Sequence, residues 1–118
     1  MSPRAVVIED DPKLSAVYSQ ALQHAGFETA LDVNGNQYLA RLDGAAPDLV
    51  LLDLHLPYAA GTDVLTDLRG RFPAAVIVVT TADLVKARSL PPGADHVLIK
   101  PFSVARLLKI ADAVKAAA

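Results

Sequence analysis

Cysteine is absent from the 118-residue sequence, which rules out a disulfide framework, a thiolate nucleophile and a thiolate metal site. That absence suits a reducing compartment, and a cytoplasmic location is expected. An excess of basic residues is also missing. The net charge is −2, whereas nucleic-acid binding normally draws on a basic face, so no direct contact with DNA or RNA is expected. No apolar run approaches the roughly 20 residues of a membrane helix. The opening "MSPRAVVIEDD" has no long apolar core after Arg4, so neither a membrane span nor a signal peptide is expected. Internal repeats, low-complexity segments and linkers are lacking too, and the length suits one domain rather than two.

What the chain does contain is apolar residues in quantity, 53% hydrophobic against 20% charged, enough to build a core. Their spacing switches repeatedly between two forms. Strands are expected at Ala5–Ile8, Phe27–Leu31, Asp48–Asp53, Ala75–Thr80 and His96–Lys100. Helical spacing separates them. The first helix carries Leu14, Val17, Tyr18, Ala21, Leu22 and Ala25 and stops at Gly26. A weaker one is expected from about Gly35 to Leu42 with Asn34 as N-cap. Gly61–Arg71 and a short Leu84–Leu90 follow, the latter broken by Pro91, Pro92 and Gly93. Ser103 caps a last helix carrying Val104, Leu107, Leu108 and Ala111. Such alternation argues for an α/β domain, a parallel sheet with helices on both faces, because parallel strands need crossover connections.

In open parallel sheets, ligands bind beyond the carboxyl ends of the strands. The first strand is followed by Glu9, Asp10 and Asp11; the third ends in Asp53, the fourth in Thr80 and Thr81, and the fifth in Lys100 before Pro101. The second contributes nothing obvious. Carboxylates brought together in a poorly solvated crevice repel one another, and a divalent cation removes that repulsion. Hard oxygen ligands without a His or Cys cluster favour Mg²⁺, or Mn²⁺, over zinc. Lys100 is placed to pair with Asp53 or with a phosphate, and Thr80 to donate a hydroxyl hydrogen bond. A carboxylate in such company is equipped to accept a phosphoryl group as an acyl phosphate.

The segments "VVIEDD", "LVLLDLHLP", "VIVVTTAD" and "GADHVLIKPF", in this order and over essentially the whole chain, resemble the four signature segments of the response-regulator receiver domain. The resemblance implies a three-layer, flavodoxin-like (CheY-like) fold, a five-stranded parallel sheet of order 2-1-3-4-5 with five helices, spanning residues 1–118 as a single receiver domain with no output domain. It implies Asp53 as the phosphoacceptor, Glu9, Asp10 and Asp53 as metal ligands with the backbone carbonyl of His55, and Thr80 and Lys100 on the phosphoryl oxygens. It further implies a cis Lys100–Pro101 bond. The donor would be a histidine kinase, a phosphotransfer protein or a small phosphodonor, and the surface around the fourth helix, fifth strand and last helix would meet a downstream protein or a second copy.

The sequence departs from the family pattern at several points. Val97 stands where an aromatic or bulky switch residue is usual. The segment between Thr80 and Lys100 is short and contains Pro91-Pro92. Two adjacent threonines leave the register of the hydroxyl open between Thr80 and Thr81. His55 is an unusual side chain two positions after the acceptor, although a solvated loop histidine is its simpler reading. These departures motivate an alternative, a receiver-like interaction module with altered or lost switching. An aspartyl phosphatase is disfavoured because "IEDDPK" lacks the DxDx[TV] pattern, and flavin-type cofactor binding because acids occupy the phosphate loop position. Asp11 reads as a helix N-terminal acid, Tyr18 as core, and His24 and His96 as structural or solvated. Asp32, Asp43, Asp48, Asp63 and Asp67 read as solvated charge.

Overall fold

Aliphatic and β-branched runs form five parallel strands, β1 (Arg4–Ile8), β2 (Glu28–Asp32), β3 (Leu49–Asp53), β4 (Val76–Thr81) and β5 (His96–Ile99), paired in the order β2-β1-β3-β4-β5. The structure, a computed structural model, describes residues 2–118. Helices α1 (Pro12–His24), α2 (Tyr38–Leu42), α3 (Gly61–Arg71), α4 (Leu84–Arg88) and α5 (Val104–Ala117) make the crossovers. This is the expected α/β architecture and strand order. Among the described residues no helix is long and apolar enough to cross a membrane.

Strand side chains alternate between faces, and the alternation divides the core into two layers. Val7, Leu51, Val78 and Leu98 pack with Leu22 of α1 and Leu107 and Ala111 of α5. Ile8, Val50, Leu52, Ile77 and Val79 pack on the other side with Leu42 of α2 and Val64, Leu65 and Leu68 of α3. Each fully buried aliphatic chain contributes about 1.5–3 kcal/mol. Tyr18 lies in the first layer, as expected, with its ring stacked on Phe102 at a centroid separation of 5.3 Å.

Capping sets several boundaries. The Asp11 carboxylate accepts from the Lys13 and Leu14 N–H groups, and the Ser103 hydroxyl accepts from Arg106 N–H, both as expected. The α2 expectation fails. Asn34 is no cap; the helix begins only at Tyr38, after Gln37. The cause is Asp32, whose carboxylate accepts from the N–H groups of Asn34, Gly35 and Gln37 and so commits that stretch to a turn instead of a helix. Asp32 is therefore fully buried rather than solvated. Asp48 and Asp67 are also engaged: Asp48 accepts from Arg4 N–H at 2.8 Å, and Asp67 accepts from the Tyr38 hydroxyl at 2.6 Å and Arg71 Nε at 2.8 Å. Asp43 and Asp63 are exposed.

Candidate functional site

Register and alternation together build the site. Asp53 pairs with Thr80, two positions beyond Leu51 and Val78; Lys100 stands two positions beyond Leu98, and Glu9 two beyond Val7. All four thus step out of the sheet on the α1–α5 side, at the carboxyl edge. Glu9 N–H donates to the Asp32 carbonyl at 3.1 Å, which holds the chain extended just past β1 before Asp11 starts α1.

Asp53 is 4% exposed and Glu9 1% exposed. A buried pair of acids demands compensation, and Lys100 supplies part of it: Nζ lies 2.6 Å from Glu9 Oε1 and 3.3 Å from Asp53 Oδ2. Sequence reasoning paired Lys100 with Asp53; the shorter contact is to Glu9. His55 N–H donates to Asp53 Oδ1 at 3.1 Å and Asp11 N–H to Glu9 Oε2 at 3.3 Å. Asp10 is exposed, yet one carboxylate oxygen each from Glu9, Asp10 and Asp53 lies within 4.8 Å of the others. Three hard oxygen donors this close fit a small dication.

The balance of charge shows in the acidities. Burial pushes the Glu9 carboxyl up to about 7, reinforced by the Asp53 carboxylate and opposed by Lys100. Burial acts to lower the Lys100 ammonium, but its contacts with Glu9 and Asp53 prevail and hold it above the ordinary lysine value.

The two threonines differ in setting. Thr80 lies opposite Asp53 and its carbonyl accepts from Leu54 N–H at 3.1 Å. The Thr81 hydroxyl accepts from Asp83 N–H at 3.0 Å, and Thr81 lines an open cavity with Leu54, His55, Ala82 and the start of α4. His55 is exposed and forms an isolated antiparallel bridge with Ala60. Gly61 follows, and a Cβ there would fall 2.5 Å from the Leu54 backbone, so glycine is what lets α3 close on the end of β3. Val97 pairs with Val79 and packs partly buried on the α3 side. The Lys100–Pro101 bond is cis.

Sequence reasoning missed three polar anchors, Asp32 and Asp83 at this edge and Arg69 at the opposite one, where β4 and β5 begin. Asp32 reads from the sequence as solvated charge, although an acid at a strand end before "VNG" carries an Asx-turn signal, and it is buried. Asp83 caps α4 through Val85 and Lys86 N–H. Arg69 donates to the carbonyls of Gly93, Pro73 and Ala75 and pairs with Asp95 at 2.6 Å, tying the α4–β5 connection to α3. No local pattern points to Arg69, because its partners assemble only on folding.

A family model described as the response regulator receiver domain matches residues 5–112. The sensory transduction protein RegX3 of Mycobacterium tuberculosis is 39% identical over 105 residues, 87% of this chain and 46% of that protein. The DNA-binding response regulator MtrA of Mycolicibacterium smegmatis is 38% identical over 112 residues, 92% of this chain and 48% of that protein. The chain thus spans about half the length of these curated relatives. Among solved structures, response regulator TrrA from Thermotoga maritima, in complex with Mg²⁺-BeF, superposes with a TM-score of 0.83 at 26% identity, covering 95% of this chain and 98% of that one.

Proposed function

The chain belongs to the response regulator receiver domain family, and from that membership we propose that it accepts a phosphoryl group on Asp53 and thereby switches its partners. The observation that carries this reading is the placement of Lys100 Nζ between Glu9 and Asp53, with Asp10 completing a compact group of acids. Glu9, Asp10 and Asp53, with the His55 carbonyl, would hold Mg²⁺. When bound, the ion supplies positive charge to the oxygens of the transferring group.

An Asp53 carboxylate oxygen attacks phosphorus as the bond to the donor breaks. With a phosphohistidine donor that bond is P–N; its electron pair leaves on the imidazole nitrogen, which takes up a proton. The product is an aspartyl acyl phosphate. Lys100 exchanges a carboxylate partner for a phosphoryl oxygen, and a threonine hydroxyl donates to another. Thr80 shares the register of Asp53, whereas Thr81 faces the open cavity beside His55; Thr80→Ala and Thr81→Ala identify which one acts. The donors are a sensor histidine kinase or histidine phosphotransfer protein, and the output is a protein contact through α4, β5 and α5, including contact with a second copy.

Incubation with acetyl phosphate and Mg²⁺ tests the proposal. The intact mass of the chain should rise by one phosphoryl group, and the gain should vanish in Asp53→Asn and with chelator. No gain, together with no beryllofluoride binding, overturns it. A second reading, an interaction module with altered or lost switching, is favoured by Val97 at the switch position and by the five-residue α4. It requires α4 and β5 to ignore beryllofluoride.

A further inference from the structure

The turn after β2 touches the acidic site through two routes. Asp32 is fully buried, and its compensation is internal: Oδ1 accepts from Asn34 N–H at 2.8 Å and Gly35 N–H at 2.9 Å, and Oδ2 from Gln37 N–H at 2.8 Å. Charge-assisted bonds of this kind are the strong ones, so the backbone from Asn34 to Gln37 is pinned. The main-chain carbonyl of Asp32 also accepts from Glu9 N–H, which is the first route.

The second route runs through Gly35. Its φ is +94°, and a Cβ added there would lie 2.8 Å from Leu56 Cδ1 and 3.1 Å from Leu56 Cβ. The pinned turn therefore rests directly on Leu56. Leu56 is partly buried over the α3-side core and follows His55, whose N–H reaches Asp53. Contact passes without a gap from Asp32 through Gly35 and Leu56 to His55 and Asp53.

We infer that Asp32 is a positioning residue of the phosphoacceptor site: by seating the 34–37 turn against Leu56, it fixes the loop after β3 and aims the His55 carbonyl toward the three acids. This rests on the functional reading above. A bracing contact outside the ligand shell typically sets metal affinity by a factor of about ten or more, and two residues that act through one contact show non-additive losses.

The test is a cycle of Asp32→Asn, Leu56→Ala and the double variant. Asp32→Asn preserves shape and the two Oδ1 contacts while removing the acceptor for Gln37, and Leu56 is only partly buried, so these variants are chosen to retain the fold. Mg²⁺ affinity is measured by calorimetry, and exchange of the His55 amide is measured by NMR without metal. Leu56→Ala should bind Mg²⁺ about tenfold more weakly and Asp32→Asn more weakly by a smaller factor. The double variant should be no weaker than Leu56→Ala, with the His55 amide exchanging faster in all three. Folded variants with unchanged affinity and unchanged His55 exchange overturn the inference, as do losses that multiply in the double variant. A wild-type chain that takes up no Mg²⁺ removes the functional reading, while the metal-free exchange still decides for or against the brace.

Discussion

Two helices flank the acidic edge with the same start and opposite fates. Asp11 caps α1 through N–H groups two and three residues on, at 2.9 and 3.0 Å. Asp83 caps α4 in the same way, at 2.9 and 3.1 Å. Yet α1 runs for 13 residues and buries Ser15, Tyr18, Ser19 and Leu22, whereas α4 runs for 5 and buries none. Leu84 and Val85 are 55% and 77% exposed. A cap decides where a helix begins; packing decides whether it is held, since a short helix is unstable alone. The sheet edge thus has one fixed flank, under Glu9 and Asp10, and one loose flank, beside Thr81. The switch proposed at Asp53 would draw its responsive element from the loose side, where packing is weakest.

The largest expected effect comes from removing the packing that distinguishes the two. Leu22→Ala in α1 should cost about 2–5 kcal/mol of unfolding free energy, while Val85→Ala in α4 should stay within about 0.5 kcal/mol. Denaturant titration measures both, and comparable losses would erase the distinction. Next come the caps. Asp11→Ala should cost about 1 kcal/mol globally. Asp83→Ala should leave global stability nearly unchanged and raise amide exchange locally in α4.

A subtler effect belongs to the fixed flank. Glu9 has its carboxyl raised from 4.5 to about 7 in the folded, metal-free chain. Below 4.5 it is protonated in both states and carries no penalty. As pH rises toward 7 the unfolded chain releases that proton first, so this group's stabilisation declines and is gone above the folded value. Glu9→Gln should therefore gain stability relative to wild type between pH 5 and pH 8 without metal. Melting curves of the two proteins show the trend or its absence.

Much of this arrangement could be read from the chain. The sheet was legible because uninterrupted aliphatic runs such as Leu49–Leu52 suit strands covered on both faces, and the acids because each stands where such a run ends. The start of α2 was misread from apolar spacing, because the Asp32 carboxylate takes the N–H groups of residues 34 and 35 and only the Asx-turn pattern hints at it. Nor was the preference of Lys100 for Glu9. These residues are 91 positions apart, and only the closed sheet decides which of two neighbouring acids the ammonium meets. Arg69 was invisible for the same reason. Its fork is satisfied by carbonyls brought together by folding, and no composition or period encodes them.

Hydrogen exchange of the chain with and without Mg²⁺ and beryllofluoride bears most directly on the fixed and loose flanks. Amides of residues 84–90 and of β5 should change protection when the phosphoryl mimic binds, while those of Lys13–His24 keep theirs. Bound beryllofluoride with α4 and β5 unchanged, or with α1 responding as strongly as α4, would contradict the account.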